Sequence, residues 1–189
     1  MFSKTEGFYH EVIPKGIEAI QKLGALNGIE VDTTKDASWF TDENLKKYSA
    51  VIFFNTTGDV LNHYQQADFE RYIQAGGGYV GVHSAADTEY DWPWYNQLVG
   101  AYFNGHPKRQ NAKIQVLNTT HESTKRMSET WERFDEWYNY RNMNKDVTVL
   151  MNLDETTYEG GTNGKNHPIA WFHEYDGGKS FYTGGGHTD

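Results

Sequence analysis

Histidine, hydroxyl and carboxylate side chains gather at a few points of this chain, and each point follows a run that reads as a β-strand. Lys4, Thr5 and His10 follow a short apolar stub at Phe2-Ser3. Asn55-Thr56-Thr57-Gly58-Asp59 follows Ala50–Phe54, and His83-Ser84-Ala85-Ala86-Asp87 follows Tyr79–Val82. Gly184-Gly185-Gly186-His187 follows Lys179–Thr183. Ligands of open α/β sheets collect at the carboxyl ends of the strands. Four polar strand ends, three of them bringing a histidine, therefore predict a polar pocket where general acid–base or metal chemistry is available.

Gly81-Val82-His83-Ser84-Ala85 reads as a strand, a sharp turn and a helix start. Such an elbow presents one side chain, here His83 with Ser84 next, and aims N–H groups at an anion or oxyanion. Plainer alternatives stay open: a buried His83 satisfied by backbone, and Ser84 as a helix N-cap. His106, in Gly105-His106-Pro107, either reaches the same pocket or is a solvated loop residue. Phe134-Asp135-Glu136-Trp137-Tyr138 sets two carboxylates among rings, which suits an acid or base. Pairing with Arg133 and Arg141 explains them equally well. His167, before Pro168, reads as structural, and His63, His121 and His173 as surface residues.

No His-Glu-x-x-His or His-x-His motif is present. Separated histidines with Asp135 or Glu136 could still assemble a site of nitrogen and oxygen ligands, so a divalent metal such as zinc stays open. No Walker A loop occurs, and a nucleotide cofactor is not indicated.

The elements that must position these residues follow from periodicity. Ile13, Ile17, Ile20 and Leu23 recur at three- and four-residue spacing and predict a helix over 12–23. Ile29–Asp32 alternates and reads as a short strand. Ala50–Phe54 and Tyr79–Val82 are apolar runs of the kind found in parallel strands covered on both faces, with a helix over 61–75 between them. This alternation predicts βαβ units and a mostly parallel central sheet. Further on come a short helix to Val99, strands over 113–117 and 147–152, and a hairpin of 169–175 with 179–183 around Asp176-Gly177-Gly178. The chain reads as one domain over residues 1–189, trimmed at both ends: the first strand is a stub, and no helix follows His187.

Bulk properties narrow the function classes. Lys and Arg number 17 against 26 Asp and Glu, a formal net charge of −9 without a basic run, so nucleic acid is not an expected partner. No apolar stretch is long enough for a membrane span. The absence of cysteine removes thiolate catalysis, thiolate metal sites and disulfides together. It leaves the compartment, cytoplasmic or periplasmic, open. With 6 Trp, 13 Tyr and 10 Phe, the chain has rings enough for a sugar-binding surface as well as a core. Nothing in the sequence speaks against a homo-oligomer.

The segments Phe2–Glu11, Phe54–Leu61, Gly76–Thr88, Gly105–Pro107, Asp135–Tyr138 and His167–His187 together resemble the bacterial trehalose-utilisation (ThuA-like) family. That family looks like a branch of the class I glutamine amidotransferase-like superfamily. The resemblance implies a flavodoxin-like three-layer sandwich and a link to carbohydrate metabolism. Where that superfamily's glutaminases carry their catalytic cysteine, this chain has His83, so thioester chemistry is unavailable. The expected function is an enzyme acting on a disaccharide or keto-sugar derivative, with a small carbohydrate as partner. In that scheme His83 or His187 is general base or metal ligand, and Asp135 or Glu136 the acid. Lys4, Thr5, His10, Thr56, Thr57, Gly58, Ser84 and His106 hold the substrate. The alternative is a non-catalytic sugar-binding or regulatory module on the same scaffold.

Overall fold

The apolar runs form the centre of the molecule. In the computed structural model, which describes residues 1–188, α1 (Ile13–Leu26) and the single turn α2 (Asp42–Leu45) precede β1 (Ala50–Phe54). Next come α3 (His63–Gln74), β2 (Gly78–Val82) and α4 (Pro93–Val99). α3 opens with a capping box: the Asn62 side chain accepts from backbone N–H groups while the Gln65 side chain reaches back to the Asn62 N–H. β1 and β2 pair in parallel across this helix, as expected. Phe2 bridges both Phe53 and Thr34 in parallel, so the amino-terminal stub does lie at the sheet. Ile29–Asp32 is not a strand, because only Met1–Ser3 is there to pair with that stretch and the bridge falls at Thr34.

The second half corrects the expected sheet. β3 (Tyr102–Phe103) and β6 (Tyr140–Arg141) form a separate two-stranded ribbon. β4 (Gln110–Val116), β5 (Thr130–Asp135), β7 (Thr148–Asp154), β8 (His167–Tyr175) and β9 (Gly178–Thr183) join the main sheet, in the order β1-β2-β9-β8-β7-β4-β5. Only β1–β2 and β2–β9 are parallel. The neighbours β9–β8, β8–β7, β7–β4 and β4–β5 are antiparallel, so the sheet is mostly antiparallel rather than mostly parallel. The physical reason is the connections: beyond α4 no helix longer than a single 3-10 turn separates successive strands, and a parallel pair needs a long crossover. Asp176 and Gly177, at φ 48° and 93°, make the tight primed turn that reverses β8 into β9.

α3 and α4 pack Phe69, Ile73, Tyr95 and Leu98 into an aromatic core with Phe53 and Tyr79. α1 lies so close to β1 that a Cβ at Gly16 would stand 2.1 Å from the Phe54 ring, a position only glycine fills. His173, which reads as a surface residue, is buried and donates from Nε2 to the Gln97 carbonyl at 2.8 Å, while His167 is structural as expected, buried and donating from Nε2 to the Tyr138 carbonyl at 2.8 Å. No helix among the described residues is long and apolar enough to cross a membrane.

Candidate functional site: a histidine and glutamate cluster

β2 ends at Val82, and the next residue, His83, takes φ 49°, the left-handed region rarely used by residues other than glycine. The turn throws the imidazole back over the sheet, where it is fully buried. Its Nδ1 lies 2.8 Å from the Gly184 carbonyl oxygen. A carbonyl only accepts, so Nδ1 carries the proton and Nε2 presents a lone pair, the tautomer a metal ligand needs.

Nε2 of His83 faces Nδ1 of His187 at 3.3 Å and Oε2 of Glu136 at 3.4 Å, and His187 Nδ1 lies 3.2 Å from the same oxygen. His10 completes the group, its ring centroid 5.0 Å from those of His83 and His187. One ligand atom from each of His10, His83, Glu136 and His187 lies within 4.8 Å of the others. Four ligands bound tetrahedrally at zinc distances stand about 3.4 Å apart, so the three measured edges already have the spacing that an ion would impose.

The electrostatics suit ligands. Burial, followed by repulsion from His83 and His187, holds the His10 pKa down to about 3, which keeps the ring neutral at physiological pH. Burial alone would raise the Glu136 carboxyl. The neighbouring His187, with the His83 and His106 rings beside it, outweighs this and holds Glu136 well below the usual carboxylate range.

Around the cluster the strand ends act mainly as scaffold. Asp135, fully buried, accepts from the N–H groups of Gly186 at 3.1 Å and Thr188 at 3.0 Å, one on each side of His187. It also binds the Glu136 N–H at 2.9 Å and Arg133 Nε at 3.0 Å. Its alternation with Glu136 along the chain points one carboxylate inward to fix the loop and the other into the site. Thr57 Oγ1 donates to the Phe8 carbonyl at 2.9 Å, and its backbone bridges Thr5. Lys4 donates to the Val60 carbonyl at 3.1 Å and pairs with Glu6. Thr56 shares a hydrogen bond with Thr88, and Gly58 takes φ 74°, where a side chain would be strained and its Cβ would crowd Glu6 at 3.1 Å. These contacts tether the 4–8 segment, and Ser84 Oγ, 3.4 Å from His10 Nδ1, orients the histidine that follows it.

The cluster lies against a cleft of about 1250 Å³. Of the residues expected at the site, His10, His106, Glu136 and His187 line it and His83 lies directly beneath. Thr5, Thr56, Thr57, Gly58, Ser84 and Asp135 do not line it, and Lys4 lies on a separate cleft with Asp36 and Asn62. His106, on the rim, has Nδ1 3.4 Å from Oε1 of Glu136. Sequence reasoning missed Asp87, Phe8, Tyr9, Phe103, Phe134 and Tyr138 as cleft residues. Asp87 was visible as the last residue of the His83 elbow segment, and Tyr138 as the residue two beyond Glu136. Tyr138 packs its ring at 4.2 Å against both His83 and Phe103, and burial keeps its phenol protonated far above the ordinary range.

Comparison with known proteins follows the same outline. A ThuA-like protein from Bacteroides uniformis is 27% identical with a TM-score of 0.82, the match covering 98% of this chain and 80% of that one. A ThuA-like protein from Parabacteroides merdae, 20% identical, has a TM-score of 0.81 over 100% of this chain and 79% of its own. A β-galactosidase from Bacillus circulans sp. alkalophilus, 12% identical with a TM-score of 0.54, shares the fold over 83% of this chain and 22% of that one. No curated protein matches the sequence. The family model described as trehalose utilisation, ThuA, matches residues 1–189, and the chain belongs to that family.

Proposed function

We propose that this protein is an enzyme of trehalose-related carbohydrate utilisation, acting on a disaccharide or keto-sugar derivative beside a divalent metal held by His10, His83, Glu136 and His187. The observation that carries the reading is the spacing of 3.2, 3.3 and 3.4 Å among Glu136 Oε2, His187 Nδ1 and His83 Nε2. A bound ion would polarise a substrate oxygen. Tyr138 offers a phenol that stays a donor, and His106 stands at the rim to contact the sugar. Phe8, Tyr9 and Phe134, 64%, 48% and 50% exposed, give the cleft mouth ring faces of the kind that pack on pyranoses. Family membership supports the sugar assignment.

Metal analysis of the purified chain, with turnover assays on trehalose and keto-disaccharides, tests this. One equivalent of divalent metal, lost together with turnover in His83→Ala, is the expected result. Sugar binding without metal and without turnover would instead establish the non-catalytic module.

A further inference from the structure

Resting on that reading, we infer that Asp87 is the proton-transfer residue of the cleft: a half-buried carboxyl on its wall, pinned through Oδ1 by the Tyr90 hydroxyl and without a cation partner among the described residues. Glu11, on the same cleft, is exposed to solvent, and the two buried carboxylates beside the cluster are committed. Glu136 spends Oε2 on His83 and His187 and faces His106 with Oε1, while Asp135 is bound by backbone N–H groups and Arg133. Asp87 keeps Oδ2 free of hydrogen bonds among the described residues, and the Tyr90 bond at 2.5 Å fixes the direction in which that oxygen points.

Tyr90 is itself held in place, with the Arg141 guanidinium 5.1 Å over its ring. The charged groups that act on Asp87 are His83, Glu136 and His106. Burial raises its carboxyl above the ordinary range, while the Tyr90 bond and His83 work the other way. A carboxyl so placed, with one oxygen uncommitted, suits proton exchange better than Glu136, whose Oε2 is spent on His83 and His187.

The step balances without a further reagent. The Asp87 carboxylate takes the proton of a water held in the cleft; that O–H bond breaks, a carboxyl O–H forms, and the electron pair stays on the attacking oxygen. As this oxygen bonds to the substrate carbon, the bond from that carbon to the leaving oxygen breaks with its electron pair. The departing oxygen then takes the proton back from Asp87.

Cobalt(II) added to the full chain is the probe, read by its visible spectrum across pH. Asp87→Asn is expected to bind one cobalt within about threefold of the wild-type affinity. The pH midpoint of its spectrum should fall by about one unit or more, because a carboxylate charge near the ion has been removed. Tyr90→Phe, which keeps that charge, should move the midpoint by less. Turnover in Asp87→Asn should fall by about 10²- to 10⁴-fold, mainly in kcat. Cobalt bound with an unmoved midpoint overturns the inference and leaves the metal reading intact. Loss of cobalt from Asp87→Asn overturns it by making Asp87 a ligand. Failure of the wild type to bind cobalt overturns the metal reading, and the inference falls with it.

Discussion

The two halves of the sheet contribute differently to the site. On the parallel side, the bridge at Phe2, β2 and β9 aim their carboxyl ends at one place, and a histidine follows each, eight residues after Phe2, one after β2 and four after β9: His10, His83 and His187. On the antiparallel side, β5 delivers Glu136 together with the aromatic wall of Phe134 and Tyr138. The parallel half thus supplies nitrogen ligands by topology, since parallel neighbours end on the same edge. The antiparallel half supplies the compensating charge and the shape of the cleft, through a strand whose placement depends on long-range pairing.

Breaking the parallel side at its centre should have the largest effect. His83→Ala removes a fully buried ligand, and isothermal titration with zinc is expected to show at least about a 100-fold loss of affinity. The antiparallel side should give a mixed response: Asp135→Ala strips the clamp from both flanks of His187. Urea denaturation is expected to report about 2–4 kcal/mol of lost stability, because buried N–H donors lose their acceptor. Zinc affinity should fall by about 10-fold or more in the same variant.

A purely structural contrast comes next. Gly16→Val forces a side chain into the Phe54 ring and should cost about 1–3 kcal/mol in urea melts. Leu26→Ala, on the exposed end of the same helix, should stay within about 0.5 kcal/mol.

A further test is in the pH dependence of the metal-free protein. His10 has a folded pKa of about 3, and His173 is also lowered by burial, whereas both titrate near the ordinary 6.5 when unfolded. Below pH 6.5 the unfolded chain therefore binds protons that the native state does not. Stability should fall as the pH drops from 6.5 toward 3, and hold above 6.5. His10→Gln should flatten this slope more than His173→Gln, measured by thermal melts at successive pH values. Zinc should steepen it, because its ligands must be deprotonated to bind.

Much of the parallel half was legible in the sequence. Ala50–Phe54 and Gly78–Val82 are apolar without interruption and α3 carries its own capping box, while on the antiparallel side Asp176-Gly177 specifies a reversal wherever it stands. These are local signals, and they also located His83 and His187 at strand ends. β5 escaped notice because Thr130–Asp135 is a half-exposed edge strand with charges along it. The small β3–β6 ribbon was invisible because two-residue strands have no period. His173 gave no local sign of burial; it is covered by α4 through packing.

By itself, the sequence determined which residue types could do chemistry: imidazoles after strands, a carboxylate pair among rings, and no thiol. Only the tertiary structure decided which of the pair serves. Neighbouring residues at the end of an extended strand face opposite ways, and a shift of one in the pairing of β5 with β4 would have exchanged Asp135 and Glu136. That register is set by contacts between residues far apart in the chain, and no local pattern encodes it. The convergence of His10 with His83 and His187, across more than seventy and more than one hundred intervening positions, was decided in the same way.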